Sequence, residues 1–266
     1  MALSKERSKL LARLFNPRLR SREGQFVVEG VRGCREFLDG ALRPEVRFAV
    51  TSPGLARTEA GRQLQDRLAD STVPVEEVSE REMELVSQTE QTQGVLMVVR
   101  EPSGTLDALD GAGIGRVLLL DGIQDPGNVG TLIRAARAFG LQAVLALDGT
   151  ADPFNAKVVR ASAGALAHLW VFRTPWTAAH DWLDERGIPL IVADPRGEDI
   201  RVMEVPPQWA LLIGNEGRGP RGTALQAASE RVGIPMEAGV ESLNAGVAGA
   251  ILLFALSELV GWNRET

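Results

Sequence analysis

From residue 117 to residue 259 the chain alternates short apolar runs with longer stretches of helical period, and this alternation narrows the possible folds more than any other feature. Runs at 117–120, 143–147, 169–172, 189–193, 210–213 and 232–235 read as strands. Between them, 129–139, 153–165, 176–186, a stretch after Pro220 and 243–259 read as helices. Runs that are apolar at successive positions are buried on both faces, so the expectation is an α/β fold with a mainly parallel sheet sheathed by helices.

The first hundred residues repeat the mixture on a smaller scale. Leu10, Leu11 and Leu14 among Lys and Arg predict a basic amphipathic helix that ends before Pro17. Strands are expected at 25–29, 46–50, 73–78 and 95–99, with helices at 31–38, 58–69 and 80–87. Pro102, Gly104 and Gly111 mark a turn-rich linker at 101–113, so the expected domains are 1–105 and 106–266.

Several function classes drop out. The lone Cys34 leaves no intrachain disulfide and no cysteine-rich zinc site, and it reads as a buried apolar residue in a protein of the reducing cytoplasm. His168 and His180 have no ligand-like neighbours, so no metal site is expected. No apolar run reaches the roughly 18 residues that a membrane span needs. Gly111, Gly113 and Gly115 precede the strand at 117–120, whereas a dinucleotide fingerprint needs its glycines after the strand.

The net charge of −6 is unevenly spread. Residues 1–36 hold nine Lys or Arg against four Glu, leaving 20 basic against 31 acidic residues in the rest. A basic head on an acidic body makes Lys5, Lys9, Arg18, Arg20, Arg22 and Arg32 the candidates for nucleic-acid phosphates, or else a solvated helix face.

In an open parallel sheet the ligand site lies beyond the carboxyl ends of the strands, which points to three loops. The first, DGIQDPGNVG at 121–130, opens a helix on which Asn128 is placed either to cap or to contact substrate. Arg134 follows among apolar neighbours, needing a phosphate or a carboxylate such as Glu216. The second loop, GNEGRG at 214–219, is glycine-rich enough to bring backbone close to a ligand. In the third, GVESLNAG at 239–246, Ser242 or Asn244 can cap the final helix, but not both.

Taken in order, DPGNVGTLIR at 125–134, IGNEGRG at 213–219, and IPM at 234–236 with ESLN at 241–244 resemble the three motifs of the SpoU (TrmH-like) branch of the SPOUT methyltransferases. The stretch DPFNAKVVRASAG at 152–164 and FVVEG at 26–30 extend the resemblance over nearly the whole chain. It implies a trefoil-knotted C-terminal methyltransferase domain, a rare exception to the rule against knots, behind a small ribosomal-protein-like α/β substrate-binding domain. It also implies a homodimer whose active site draws on both subunits, and S-adenosylmethionine as methyl donor to a ribose 2′-hydroxyl of structured RNA. Ribosomal RNA is favoured over transfer RNA as the target, with an RNA-binding protein that keeps the fold without catalysis, or a base methyltransferase, as the other readings.

On the family pattern Ile213, Gly214, Gly219, Ile234, Met236 and Leu243 would line the cofactor. Asn128, Arg134, Glu216, Ser242 and Asn244 would form the reaction site, with Arg134 closest to the 2′-hydroxyl and its neighbouring phosphate. Because arginine stays protonated, its expected role is to orient the ribose through that phosphate. The chain departs from the pattern at Ala245-Gly246, where members often carry Val-Ser. With no Tyr and few aromatic residues, extensive base stacking is not expected.

Overall fold

A computed structural model describes residues 3–102, 106–110, 112–240 and 242–260. Gly104 and Gly111 of the expected linker, and Glu241 of the third motif, lie outside the described residues. The chain opens with helices α1 (Lys5–Leu14) and α2 (Pro17–Glu23), strand β1 (Gln25–Glu29), α3 (Val31–Asp39), β2 (Val46–Thr51), α4 (Glu59–Ala69), β3 (Val75–Glu77), α5 (Glu80–Val86) and β4 (Val95–Arg100). It continues with β5 (Arg116–Asp121), α6 (Pro126–Ala138), β6 (Ala143–Ala146), α7 (Ala156–Ala161), β7 (Trp170–Arg173), α8 (Trp176–Glu185) and β8 (Leu190–Asp199). Strand β9 (Trp209–Gly214), α9 (Gly222–Ala227), β10 (Glu230–Gly233) and α10 (Ala245–Leu259) complete it.

Two compact units result: 1–103 with 154–168, and 104–153 with 169–266. The segment that carries α7 therefore packs with the first unit although it follows β6 in sequence, an excursion that one linker near 101–113 does not contain.

The first unit holds a four-stranded sheet in the order β1-β4-β2-β3, antiparallel except for β2 with β3. Alternation sorts its side chains. Val27, Phe48, Val50, Leu96 and Val98 share a cluster with Leu11 and Leu14 of α1 and Met83 of α5. Phe26 turns the other way, its ring 5.6 Å from Phe37 and 5.1 Å from Phe154. The returning segment is further fixed by His168, whose Nδ1 accepts the Ala41 N–H and whose Nε2 lies 3.0 Å from Glu36. Cys34 is fully buried, which pushes its thiol pKa up.

Pro17 ends one helix and starts another. Asn16 caps α2 by accepting the N–H groups of Arg18 and Leu19, and proline at the first helical position has no N–H to leave unpaired. The end of the first helix before Pro17 is as expected from the sequence, whereas the second helix after it is not among the expected elements.

The second unit is built on a six-stranded, all-parallel sheet in the order β10-β8-β9-β5-β6-β7. On β5, Val117 and Leu119 join a cluster with Trp182, Leu183 and Ala224 from α8 and α9. The intervening Leu118 and Leu120 are equally buried. On its outer side α10 packs against α6, and Gly249 permits the approach: a Cβ there would stand 2.2 Å from Leu132 Cδ2. Strand β8 runs on past the expected end at 193, because its register with β10 jumps from Arg231↔Val192 to Val232↔Glu198. Residues 193–197, including Pro195, bulge out between the two paired stretches, a position that tolerates a residue lacking an N–H. Among the described residues no helix is long and apolar enough to cross a membrane.

Substituting Gly249→Val forces Leu132 and Ile213 to move within a packed core, so urea unfolding should show a loss of about 1–3 kcal/mol. Wild-type stability in that variant would show that α10 does not need its close seat on α6.

Candidate active site

Parallel pairing of β5 with β9 runs in register from Arg116↔Trp209 to Asp121↔Gly214 and delivers two of the three expected loops side by side. Buried and half-buried polar side chains then lock them. Asp121, 5% exposed, accepts the backbone N–H of Arg221 at 2.8 Å and its Nε–H at 2.7 Å. The Arg221 guanidinium also lies 5.7 Å from the Trp176 ring. Asn215 donates from Nδ2 to the Gly122 carbonyl at 2.7 Å, while its Oδ1 accepts the N–H groups of Gly217 and Arg218 at 3.0 Å.

The loop at 214–219 is closed on itself as well. Asn215 and Gly219 exchange two backbone hydrogen bonds of 3.1 and 2.9 Å, and a Cβ on Gly214 would fall 2.2 Å from the Pro220 nitrogen. No residue but glycine fits at 214, so the loop is held stiff by its own backbone.

Around it opens a cavity of about 230 Å³. All six residues expected to line a cofactor, Ile213, Gly214, Gly219, Ile234, Met236 and Leu243, form its walls. Ala193, Asp194 and Pro195 from the β8 bulge, with Val232 and Leu252, close the rest. Sequence reasoning missed these last because they depend on a register shift between distant strands; the Asp194-Pro195 turn after an apolar run was the available signal.

Three reaction-site candidates come together. Asn128, almost buried, donates from Nδ2 to Glu216 Oε1 at 3.0 Å. The position of a Cβ on Gly246 lies 3.1 Å from both Asn128 Oδ1 and Asn244 Oδ1, so α6 and the start of α10 converge on a residue with no side chain. Ser242 lines the cavity beside Leu243.

Helix capping does not fall to Asn128. Asp125 is the cap of α6 and accepts the N–H groups of Gly127 and Asn128, freeing the Asn128 amide for Glu216. At the third loop Asn244 is the cap, accepting the Val247 N–H at 3.2 Å, and Ser242 is not.

Arg134 does not meet Glu216. Its apolar neighbours Leu132, Ile133, Ala135 and Ala136 turn into the core, and helical geometry then sends residue 134 outward. It is exposed, with no hydrogen bond or ion pair among the described residues.

In the first unit Lys5, Lys9, Arg18, Arg22 and Arg32 are exposed. Arg20 is not available for phosphate contact: it is 3% exposed, and its guanidinium donates to the Leu14 carbonyl, tying α2 to α1.

Residues 115–254 match the SpoU rRNA Methylase family, and residues 5–97 match the MRM3-like substrate binding domain. The chain is 31% identical over 247 residues to the 23S rRNA (guanosine(2553)-2'-O)-methyltransferase RlmP of Bacillus subtilis, covering 92% of this chain and 93% of that protein. Among solved structures it resembles the SpoU methyltransferase AviRb from Streptomyces viridochromogenes in complex with AdoMet, with a TM-score of 0.82, 27% identity and coverage of 96% and 98%. An RNA 2'-O ribose methyltransferase superposes with a TM-score of 0.78 at 28% identity, covering 96% of each chain.

Replacing Asp121 by Asn keeps the shape of the buried link and removes its charge. Asp121→Asn should cost about 1–3 kcal/mol in urea unfolding, because the Arg221 guanidinium loses its charged partner. A loss below about 0.5 kcal/mol, within the usual range for surface changes, would mean that this pair does not hold the two loops together.

Proposed function

The chain belongs to the SpoU rRNA Methylase family, and from that premise we propose that it transfers the methyl group of S-adenosylmethionine to a ribose 2′-hydroxyl, with ribosomal RNA as the substrate. The observation that carries this reading is the cavity bordered by the Glu216 side chain, which the Asn128 amide holds in place.

The cavity fits the cofactor in chemistry. Its walls are apolar at Ile213, Ile234, Met236, Leu243 and Leu252, and its charged members, Asp194 and Glu216, are both acidic. Apolar walls suit a nucleoside, and the Glu216 carboxylate, which unlike Asp194 with Arg231 at 4.0 Å has no cation beside it among the described residues, suits a sulfonium. S-adenosylmethionine bound there supplies a methyl group already activated for transfer.

The protein is left to align the nucleophile and receive its proton. Asn128 fixes one oxygen of Glu216, and the carboxylate is thereby oriented as a hydrogen-bond acceptor for the ribose. Ser242 lines the cavity, and Asn244 Oδ1 converges with Asn128 Oδ1 on the Gly246 position. Arg134, standing alone on α6, is assigned to the phosphate beside the target.

Its separation from Glu216 supports a homodimer. On α10, Val247, Ile251 and Phe254 are 49%, 39% and 48% exposed at helical spacing, a stripe that a second copy would bury. In that arrangement Arg134 of one protomer completes the site of the other. Lys5, Lys9, Arg18, Arg22 and Arg32 of the first unit add phosphate contacts, and the substrate-binding match of that unit agrees with the role. The trefoil knot and a cytoplasmic location belong to the same reading.

Calorimetric titration should show S-adenosylhomocysteine binding to the wild type and not to Leu243→Trp, which fills the cavity. Tritium from the labelled donor should enter unmodified ribosomal RNA and not transfer RNA, with the label on ribose after nuclease digestion. Binding of RNA without cofactor or turnover would replace the enzyme by a scaffold protein. Phe254→Asp should give a monomer in light scattering, and Arg134→Ala should lower transfer by about 10²-fold with cofactor binding intact.

A further inference from the structure

A second opening shares the loop at 214–219 with the apolar cavity. It is a groove of about 720 Å³, and Asn215, Gly219 and Pro220 line both spaces. Asp121, Gly122, Gly149 and Asn215 stand at the carboxyl ends of β5, β6 and β9, the edge of a parallel sheet at which ligands are received.

The groove differs from its neighbour in chemistry. Arg218, Gln124, Thr223 and Gln226 are exposed around it, and their side chains make no hydrogen bond or ion pair among the described residues. At its base Arg221 is held by Asp121, whose negative charge is thereby spent internally. With Arg218 and Arg221 against Asp121, the lining is net positive on the part of the chain that is otherwise acidic. Guanidinium groups pair with phosphodiesters, and glutamine amides offer a donor and an acceptor side by side, the pattern that reads a base edge.

We propose that this groove seats the nucleotide next to the target ribose, its phosphodiester on Arg218 and Arg221 and its base edge on the Gln124 and Gln226 amides, and so sets the sequence context that is methylated. This rests on the reading of the chain as an RNA-directed enzyme. The wall shared with the cavity is stiff, because Gly214 leaves no room for movement against Pro220 and Asn215 ties the loop to Gly122. A nucleotide held on one side of that wall fixes the position of the ribose on the other.

Gly222 offers a clean test, since a Cβ there meets nothing within 4 Å and a larger side chain enters the groove without displacing the fold. Filter binding of a labelled large-subunit ribosomal RNA transcript to the full chain over a range of salt is the measurement, with calorimetry of S-adenosylhomocysteine alongside. Gly222→Trp should weaken RNA binding roughly tenfold with an unchanged salt slope and unchanged cofactor affinity. Arg218→Ala should weaken it and lower the salt slope by about one, and Arg218→Lys should restore that slope. Wild-type RNA affinity in both Gly222→Trp and Arg218→Ala would overturn the proposal, as would a parallel fall in cofactor affinity, which would assign the groove to the cofactor. RNA binding that responds to these variants in a protein that takes no S-adenosylhomocysteine would support the groove while refuting the methyltransferase reading.

Discussion

The central strand pair of the second unit is the constraint on which the site depends. Because β5 and β9 lie side by side and end together at Asp121 and Gly214, the loops that follow them must share one small volume. Two polar residues at those ends turn proximity into rigidity: Asp121 captures Arg221, and Asn215 captures Gly122. Asp121 is buried and Asn215 half-buried, and both are hydrogen-bonded, so a loose loop would leave the Asp121 carboxylate buried and unpaired. With the loops fixed, the apolar cavity and the polar groove become two sides of one wall.

The third contributor is α10, and its seat depends on missing side chains. Gly249 lets the helix settle against Leu132 of α6, and Gly246 leaves space for the facing Asn128 and Asn244 oxygens. Gly246, where the chain departs from Val-Ser, thus lies where the first turn of α10 faces α6. Small residues here are a packing requirement: Leu132 takes up the space at Gly249, and the Asn128 and Asn244 oxygens that at Gly246.

Charge is divided unevenly along the chain. Exposed cations cluster in the first thirty-odd residues, while the cavity of the second unit carries carboxylates alone. Not every cation in the basic head is free for phosphate: Arg7 pairs with Glu76, the exposed Arg13 with Glu23, and Arg20 is enclosed by the helices it joins. An arginine stem is long and apolar enough to pack, so a count of cations overstates the surface available to phosphates.

Local sequence determined most of the elements and the place of the site. Alternating apolar runs specified a parallel sheet, the polar loops at strand ends marked where the cavity opens, and the glycines of GNEGRG announced a tight turn. These are short-range properties: periodicity, turn chemistry and propensity act over a few residues. What tertiary structure decided were matters of register and direction between residues far apart in the chain. The bulge that adds Asp194 and Pro195 to the cavity arises from pairing with β10. Phe154 and His168 join the first unit because Phe26, Glu36 and Ala41 receive them there. Arg134 points away from Glu216, and Asn128 toward it, because the helix that carries both is turned by its buried face, whose contacts no single segment of the sequence contains.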